Sequence, residues 1–369
     1  MKFVCEGSIL SDAAFTVSKA CATRTTTPIL ECIKIKAQND GLTLTAYDGE
    51  ISIEKKIKAD VMEEGEICVN GKFFADFVGK INLEEVSVSS TEVGMVIKYG
   101  ENESTMQTLS AKDFPLFDGA NIPQEKYFEL KQTAFKELVS KVTFCCATED
   151  SRPILKGALL EAKEGVLYAG ALDGFRMAYG YTTTTDGGDM KIVVPARTLT
   201  EISRMIDGDE LIKVFADKNR LSVAVNDTVI TSRLYLGEFV KKENIFPAEF
   251  TTRLMVKRSE LINSVERASV MIRGEKNNLV IFDIKASKTV VSANSELGKI
   301  EETVNGNLQG KELKIAMNGK YLLDALKALT EEDIVLSFNS SVSPFTVENM
   351  IDKRFQYLIL PVRTSNSVQ

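Results

Sequence analysis

Residues 151–180 read SRPILKGALLEAKEGVLYAGALDGFRMAYG, and this stretch decides the fold. Apolar residues recur at 154, 158 and 160, and again at 166, 168, 170 and 172, on either side of the pair Glu164-Gly165. A period of two is typical of a β-strand, and a Glu-Gly pair between two such runs favours a turn. The sequence therefore predicts a β-hairpin here.

Much of this stretch occurs again elsewhere in the chain. TPIL at 27–30 matches RPIL at 152–155, and GLTLTAYDGE at 41–50 matches GVLYAGALDGF at 165–175, so that Asp48 and Asp173 are 125 residues apart. A weaker third copy, SKTVVSANSELGKIEE, occupies 287–302. Self-similarity at a fixed spacing indicates structural repeats. We predict three repeats of about 120 residues, at 1–125, 126–250 and 251–369.

Each predicted repeat has the order helix, strands, helix, strands, which gives an α+β fold with two helices packed on antiparallel sheets. The predicted helices are 11–22, 70–81, 132–147, 196–206, 257–272 and 318–329. Strands are expected in the first repeat at about 29–37, 41–48 and 50–58. Ser11 is the expected N-cap of the first helix, and Phe15, Phe73 and Phe77 are expected to face the core.

The composition is that of an ordinary globular protein, with 44% hydrophobic and 26% charged residues among 369. No run approaches the roughly 18 apolar residues of a membrane span. The N-terminal MKFVCEGSIL reaches Glu6 too early for a signal peptide, so we expect a cytoplasmic protein. The six cysteines contain no CxxC pair, and we expect reduced, mostly buried thiols with one of Cys145 and Cys146 exposed.

The chain contains no histidine, which removes many kinds of catalytic and metal site. It also has neither a GxxxxGK[ST] loop nor a GxGxxG segment after a strand. Carboxylate pairs such as Glu331–Glu332 and Glu63–Glu64 lie in polar, turn-like contexts, and we interpret them as solvated surface. We therefore predict a non-catalytic protein that uses no metal and no cofactor.

Charge is distributed unevenly along the chain. The net charge is −7, yet each of the six predicted helices sums to +1 when its flanking residues are included, which leaves −13 for the rest of the chain; the windows counted are 8–24, 71–80, 132–147, 196–206, 257–272 and 318–330. The helix macrodipole explains basic residues near the end of any single helix. The same sign in all six helices favours a modest positive surface that makes weak, sequence-independent contacts with phosphates.

The chain closely resembles the bacterial sliding clamps, the beta subunits of DNA polymerase III. The resemblance covers essentially the whole chain and rests on the order and spacing of TPIL, RPIL, ALDGFRMA, the Phe-Pro pairs at 114–115 and 246–247, MNGKYLLDAL and the terminal YLILPVR. It implies a head-to-tail homodimer that closes as a ring around duplex DNA and acts as a processivity factor. Twelve helices packed at about 9 Å would leave an opening of roughly 24 Å.

Two sets of residues follow from this implied ring. The helix charges suggest that six cations face the DNA: Arg24, Lys80, Lys141, Arg197, Arg204 and Lys320. The joint between the two copies is expected at the outer ends of the first and third repeats, where the apolar residues are Met106, Val270, Met271 and Ile272.

The resemblance also implies a pocket that takes a short linear peptide from the DNA polymerase III catalytic subunit, the clamp loader, other polymerases and repair proteins. Aliphatic and Met side chains would receive Leu or Phe anchors, with Arg, Asn and Tyr at the edge. The residues carried over by motif are Leu155, Leu172, Gly174, Phe175, Arg176, Met177, Pro247, Asn318, Tyr321, Val342, Pro344, Leu358, Ile359, Leu360, Pro361, Val362 and Arg363. Phe175 departs from the family, which commonly has histidine at this position.

A second interpretation stays open at this point. The chain could be a repeat-built, peptide-binding scaffold that never touches DNA. The positive helices discriminate between the two interpretations, because a scaffold without DNA contact has no need of them. An enzyme comes third, since no acid–base or cofactor motif supports one.

Overall fold

The computed structural model describes residues 1–38, 41–81, 85–92, 94–115, 127–149, 152–185, 188–274, 278–296 and 298–363. The chain forms two compact units: unit 1 comprises Met1–Thr133 and Glu201–Leu234, and unit 2 comprises Ala134–Thr200 and Tyr235–Gln369. The second sequence repeat is thus divided between the two units. The predicted boundary at 125/126 lies outside the described residues, and the exact repeat limits stay a prediction.

The described helices and strands follow the predicted order in each repeat, except that each repeat begins with one further strand before its first helix, which the sequence analysis did not predict. The first repeat contains β1 (Lys2–Glu6), α1 (Gly7–Ser18), β2 (Cys32–Gln38), β3 (Gly41–Tyr47), β4 (Ile51–Lys58), β5 (Asp60–Glu63), β6 (Gly65–Asn70), α2 (Gly71–Val78), β7 (Glu85–Thr91), β8 (Gly94–Tyr99), β9 (Asn102–Met106) and β10 (Thr108–Leu109). The second contains β11 (Tyr127–Lys131), α3 (Gln132–Ser140), β12 (Gly157–Lys163), β13 (Val166–Leu172), β14 (Arg176–Thr183), β15 (Met190–Pro195), α4 (Ala196–Met205), β16 (Leu211–Ala216), β17 (Arg220–Val225) and β18 (Thr228–Arg233). The third contains β19 (Thr252–Lys257), α5 (Arg258–Met271), β20 (Leu279–Ile284), β21 (Thr289–Ser295), β22 (Gly298–Val304), β23 (Gly306–Gly310), β24 (Leu313–Asn318), α6 (Gly319–Ala328), β25 (Asp333–Phe338), β26 (Phe345–Asn349) and β27 (Phe355–Ile359).

Unit 1 contains two antiparallel sheets in its described residues. One has the strand order β5-β1-β7-β8-β9, and the other has the order β10-β6-β2-β3-β4-β18-β17-β16-β11. In the second sheet, β4 of the first repeat pairs with β18 of the second repeat, with Ile53 opposite Ile230. We call this pairing the first joint. A single sheet therefore runs through the boundary between the first two repeats.

Unit 2 is built in the same way. Its described strands form one sheet of order β15-β12-β13-β14-β27-β26-β25-β19-β23 and another of order β22-β21-β20-β24. Here β14 of the second repeat pairs with β27 of the third, with Met177 opposite Leu358. We call this pairing the second joint. The predicted α+β fold, with helices packed on antiparallel sheets, is confirmed, and the structure shows in addition that these sheets continue across the repeat boundaries.

The predicted hairpin forms as β12 and β13. Glu164 and Gly165 both have positive φ, at 51° and 75°, as a tight turn between antiparallel strands requires. The strand prediction was wrong at its start, because Pro153–Lys156 is a 3-10 helix, and Pro28–Glu31 repeats this in the first repeat. Proline is favoured in the first turn of a helix, where its missing N–H costs nothing. The first strand of each of these two hairpins, β2 and β12, therefore begins after the 3-10 turn.

Two aromatic residues predicted to face the core are exposed instead. In α1 the buried residues include Leu10, Ala14 and Val17, and Phe15 lies about 100° around the helix from Ala14. Phe15 is 58% exposed and Phe73 of α2 is 59% exposed. The apolar stripe is thus narrower than residue type alone suggests. Phe77 is half-buried.

Two predicted helices have different ends in the structure. The first begins at Gly7 with Glu6 in the N-cap position, so Ser11 is not the cap. The third ends at Ser140, and Thr143–Cys145 form a separate 3-10 turn. The Thr143 hydroxyl donates to the carbonyl of Val139 at 2.9 Å, a local bond of the kind that competes with helix hydrogen bonding.

All six cysteines are free and buried. The expectation that one of Cys145 and Cys146 is exposed was therefore wrong. Burial raises the pKa of every one of these thiols, and that of Cys146 to about 12. Protonated, buried thiols are inert as nucleophiles. In the described part of the chain, no helix combines the length and the apolar character needed to cross a membrane.

Candidate partner-binding cleft

The turn after β13 places the polar groups of the cleft. The carboxylate oxygen Oδ1 of Asp173 accepts the backbone N–H groups of Phe175 (2.9 Å) and Arg176 (3.0 Å). Gly174, which lies between Asp173 and Phe175, has a φ of 93°, in the left-handed region that favours glycine. An aspartate that bonds its own following backbone stabilises such a turn. The Asp-Gly pair therefore fixes where β14 begins.

Arg176 is held from three sides within unit 2. Its Nε donates to Asp173 Oδ2 at 3.0 Å, its Nη1 to Asp324 Oδ2 at 2.6 Å, and its Nη2 to the Phe144 carbonyl at 2.9 Å. The guanidinium also lies 4.5 Å from the centroid of the Tyr321 ring. Because its donors point into its own chain, Arg176 positions the wall of the cleft.

Two aromatic rings form that wall. Phe175 is 60% exposed, and its ring stacks on Tyr321 with centroids 6.4 Å apart and planes 26° apart. Tyr321 stands in the first turn of α6, where Asn318 Oδ1 accepts the N–H groups of Lys320 (3.0 Å) and Tyr321 (3.2 Å). Asn318 is thus the N-cap of α6. Burial raises the pKa of Tyr321, so its hydroxyl is neutral at physiological pH.

The floor of the cleft is an apolar cluster from five strands, a 3-10 turn and the loop after β18. Leu172 lies opposite Met177 across β13 and β14, and Met177 lies opposite Leu358 across the second joint. Leu155 belongs to the same buried cluster, together with Phe239. The sequence prediction thus named residues that the fold brings together, although their side chains are buried.

The segment after β27 forms the far edge. Ile359 is buried in register with Arg176, and the N–H of Leu360 donates to the carbonyl of Phe175 at 2.8 Å. Two residues later, the N–H of Val362 donates to the carbonyl of Ala316 at 2.8 Å. The chain end is therefore fixed by backbone bonds, while the side chains of Leu360 and Arg363 are exposed and those of Pro361 and Val362 are half-buried.

The remaining predicted residues lie in two loops. Val342 is exposed and Pro344 is half-buried, and the N–H of Val342 donates to Ser340 Oγ at 3.3 Å. Pro247 is half-buried and directly follows Phe246, which packs on the apolar cluster. Both loops belong to unit 2, as do all the other predicted pocket residues.

Sequence reasoning missed several residues that organise the cleft. Asp173 could have been found, because Asp48 in the first repeat accepts the same pair of backbone bonds. Asp324 pairs with Arg176 from 148 positions away, and no local pattern shows this. The Lys242 ammonium lies 4.3 Å from the Tyr179 ring centroid, and burial lowers the pKa of Lys242. No pattern in the sequence around Lys242 indicates this contact with Tyr179.

The predicted DNA-facing cations do not all have the same surroundings. Five are exposed: Arg24, Lys80, Arg197, Arg204 and Lys320. Lys141 is buried, donates to Glu137 Oε1 at 2.7 Å and lies 4.5 Å from the Phe355 ring centroid. Its charge is already compensated inside the fold, which corrects the expectation for Lys141. The five exposed cations remain as candidates for contact with phosphate.

The residues expected at the interface between two copies also differ in exposure. Met106 and Ile272 are buried within their own chain, at 4% and 1% exposure, so neither can supply contact area to a second copy. Val270 is 59% exposed, and Met271 beside it is half-buried. Met106 is the last residue of β9, and Met271 is the last residue of α5. The strands β9 and β22 lie at the edges of their sheets.

Among the residues that the structure describes, no group of three or more Cys, Asp or Glu side chains could hold a metal ion. Asp173, Arg176 and Asp324 are bonded to one another, and the open surface of the cleft is mainly aromatic and aliphatic, with the exposed Arg363 at its edge. Such a surface suits a ligand with apolar anchors, such as a short peptide.

Comparison with known proteins gives consistent matches along the chain. Family models match in order: the N-terminal domain of the DNA polymerase III beta subunit at residues 1–118, its central domain at 129–241 and its C-terminal domain at 243–363. The beta sliding clamp of Bacillus subtilis is 29% identical over 379 residues, covering 99% of this chain and all of that protein. The beta sliding clamp of Halalkalibacterium halodurans is 30% identical, with the same coverage.

Solved structures agree with the sequence matches. The crystal structure of the Bacillus subtilis DNA polymerase sliding clamp superposes with a TM-score of 0.95 at 29% identity, covering 99% of both chains. A putative DNA polymerase III beta subunit from Eubacterium rectale gives a TM-score of 0.94 at 29% identity, covering 98% of this chain and 99% of that one.

Proposed function

This chain belongs to the DNA polymerase III beta subunit family, the bacterial sliding clamps, and from that premise we propose that it encircles duplex DNA as a processivity factor. The observation that carries the proposal is the ordered match of all three beta-subunit domains along one chain. Its role is that of a non-catalytic accessory subunit of the replicative polymerase, working in the cytoplasm without a cofactor.

The proposed assembly is a head-to-tail homodimer that closes as a ring. The two edge strands β9 and β22 support it, because an edge strand presents unpaired backbone groups that a strand of another chain can bond. Val270 and Met271 would add apolar contact beside β22, since Gly298, the first residue of β22, lies against the Met271 side chain. Pairing of both edges would leave neither strand open to aggregation.

The proposed DNA contacts are electrostatic and independent of sequence. The five exposed cations would each approach a phosphate loosely, which allows the protein to slide. We expect substitution of these five residues by Gln to lower retention on DNA. The slope of log K against log salt concentration should become shallower by roughly 0.9 for each phosphate that is no longer neutralised. The matched control neutralises five exposed lysines elsewhere: Lys112, Lys163, Lys218, Lys285 and Lys311.

The proposed partners of the cleft are short linear peptides of the polymerase III catalytic subunit, the clamp loader, other polymerases and repair proteins. A Leu or Phe anchor would lie over the floor formed by Leu172 and Met177, against the wall of Phe175 and Tyr321. Where relatives commonly have histidine, the Phe175 ring offers apolar contact, so this wall would favour aromatic or aliphatic anchors.

One experiment separates a clamp from the scaffold that does not touch DNA. Purified protein is loaded with a clamp loader onto nicked circular duplex and isolated by gel filtration, before and after the circle is cut. A clamp is retained on the circle and lost after linearisation, because it slides off the ends. Equal loss from both forms, with peptide binding intact, would leave the scaffold as the function.

A further inference from the structure

A cavity of about 670 Å³ lies beside the first joint, within unit 1. Its lining includes Phe15 of α1, Lys19 directly after α1, Lys55 of β4, Arg204 of α4 and Asp227 of the turn before β18. Ligand sites have volumes of roughly 300–1,000 Å³, so this cavity is large enough to hold a small group. None of its residues belongs to the cleft described above.

The second joint has a position that is equivalent to this cavity beside the first joint. At the first joint, the N–H of Lys56 donates to the carbonyl of Asp227 at 2.9 Å, and at the second, the N–H of Tyr181 donates to the carbonyl of Arg354 at 3.2 Å. Lys56 and Tyr181 are 125 residues apart, which is the spacing of the repeat. Asp227 and Arg354 are therefore structural counterparts.

At the second joint this position is filled. Arg354 Nη1 donates to Glu137 Oε2 at 3.0 Å, and Lys141 Nζ donates to Glu137 Oε1 at 2.7 Å. The Phe355 ring packs so closely on Gly180 that a Cβ at residue 180 would collide with the ring. An ion-pair network and an aromatic ring thus occupy the space.

At the first joint the corresponding residues leave the space open. Three of them are shorter or of opposite charge: Thr16 in place of Lys141, Asp227 in place of Arg354 and Thr228 in place of Phe355. A carboxylate at Asp227 cannot form with Asp12 the ion pair that an arginine would form. The cavity is therefore specified by side chains that distinguish one joint from the other.

The side chain that marks this cavity is Phe15, an exposed aromatic where the second repeat has Ser140. The Lys19 ammonium lies 3.9 Å from the centroid of its ring. Arg204 is exposed, and one of its five N–H donors bonds Glu201 Oε1 at 2.7 Å. An aromatic ring beside cations is the arrangement that binds single-stranded nucleic acid, because the ring stacks on a base while the cations attract phosphate.

We infer that this cavity binds an unpaired nucleotide of DNA, with its base on Phe15 and its phosphate toward Lys19 and Arg204. A base inside a duplex is stacked on both faces, so Phe15 can reach only an unpaired or terminal base. Three carboxylates in the lining limit the affinity: Asp12 and Glu201 are paired with Lys55 and Arg204, and Asp227 repels phosphate. The inference rests on the proposed function, which brings DNA to the helices that carry Phe15 and Arg204.

The chain contains no tryptophan, so one introduced residue reports on this cavity alone. Phe15→Trp is titrated with oligothymidylate, and Trp emission is followed. Phe73→Trp is the matched control, since Phe73 is an equally exposed phenylalanine on a helix of the same repeat. We expect stacking to quench Phe15→Trp and to leave Phe73→Trp unchanged. Equal behaviour of the two variants would overturn the inference.

Affinity measurements test the same site in the native background. Oligothymidylate binding, followed by anisotropy, should weaken at least roughly fivefold in Phe15→Leu, because a base loses its stacking partner. It should strengthen in Asp227→Asn, because a repelling charge is removed. A Phe15→Trp signal that responds to a Leu/Phe-containing peptide and not to oligothymidylate would assign the cavity to a polypeptide and reject the nucleotide. Retention of the wild type on circular duplex is measured separately, so failure of the clamp function is distinguishable.

Discussion

At the scale of single residues, Arg176 connects the turn after β13 with α6. It bonds Asp173, Asp324 and the Phe144 carbonyl, and its side chain is almost fully buried. We expect Arg176→Met to lower the free energy of unfolding by about 3 kcal/mol, because the change removes the guanidinium donor from two carboxylates and a carbonyl.

Urea denaturation measures this loss. The control is Arg363→Met, an exposed arginine of the same cleft, for which a change within about 0.5 kcal/mol is expected. If Arg176→Met were as stable as the wild type, the bonds described for Arg176 would contribute nothing to the cleft.

Leu360 offers the cleanest test of the cleft surface. It is 37% exposed, whereas Met177 is 2% exposed and its truncation to Ala would open a core cavity at a cost of about 2–5 kcal/mol of stability. We expect Leu360→Ala to weaken a Gln-Leu-x-Leu-Phe-type peptide by roughly tenfold, since anchors in an apolar pocket dominate such binding.

Calorimetry with the peptide measures this change, and circular dichroism confirms the fold. Ile351→Ala is the matched control, because Ile351 is an exposed aliphatic residue in a turn outside the cleft. Equal affinity of Leu360→Ala and the wild type would remove the segment after β27 from the partner site.

At the scale of elements, ion pairs fasten α3 to the turn before β27. Glu137 accepts hydrogen bonds from Lys141 and Arg354, and Asp352 accepts from Arg354. Burial alone would raise the pKa of Glu137, but these hydrogen bonds outweigh it and lower the pKa. The hydrogen bond from Arg354 likewise lowers the pKa of Asp352.

A carboxyl whose pKa is lower in the folded state stabilises the fold above its unfolded pKa, and this contribution is lost as the pH falls through the folded pKa. We therefore expect the free energy of unfolding to decline below about pH 4. Arg354→Gln should reduce the difference between urea denaturation at about pH 6 and at about pH 3. Arg253→Gln, at an exposed arginine, should leave that difference as in the wild type.

Elements with strong local signals could be predicted from the sequence, and those decided by distant contacts could not. The hairpin around Glu164-Gly165 and the order of the helices follow from spacing and turn chemistry within a few residues. The exposure of Phe15 and Phe73 does not, since it depends on which face of each helix meets the sheet. In the cleft, motif resemblance predicted Arg176 but not its partner Asp324, because Asp324 lies 148 residues further along the chain, in another repeat.

At the scale of the whole molecule, the proposed ring depends on contacts between two copies. We expect Val270→Asp to weaken the dimer by at least roughly a hundredfold, because an unpaired carboxylate buried in an interface costs several kcal/mol. Sedimentation velocity over a concentration series measures this change. Charging Ile272 would not test the interface, since a charge there would enter the core of the chain itself.

Val342→Asp, at an exposed valine of the cleft, is the control for Val270→Asp and should stay dimeric. A Val270→Asp protein that sediments as the wild-type dimer would exclude the end of α5 from the interface. The edge strands would then have to hold the ring without it.

The division of the second repeat between two units also governs how the chain is made. When β14 leaves the ribosome at Thr183, its partner β27 starts only at Phe355, and β4 similarly waits from Lys58 until Thr228. At about 5–20 residues per second, each edge stays without its partner for roughly ten to thirty seconds. The nascent chain therefore displays an open, apolar strand edge throughout much of translation. Shielding by a chaperone, or by the ribosome surface, would matter most in that interval.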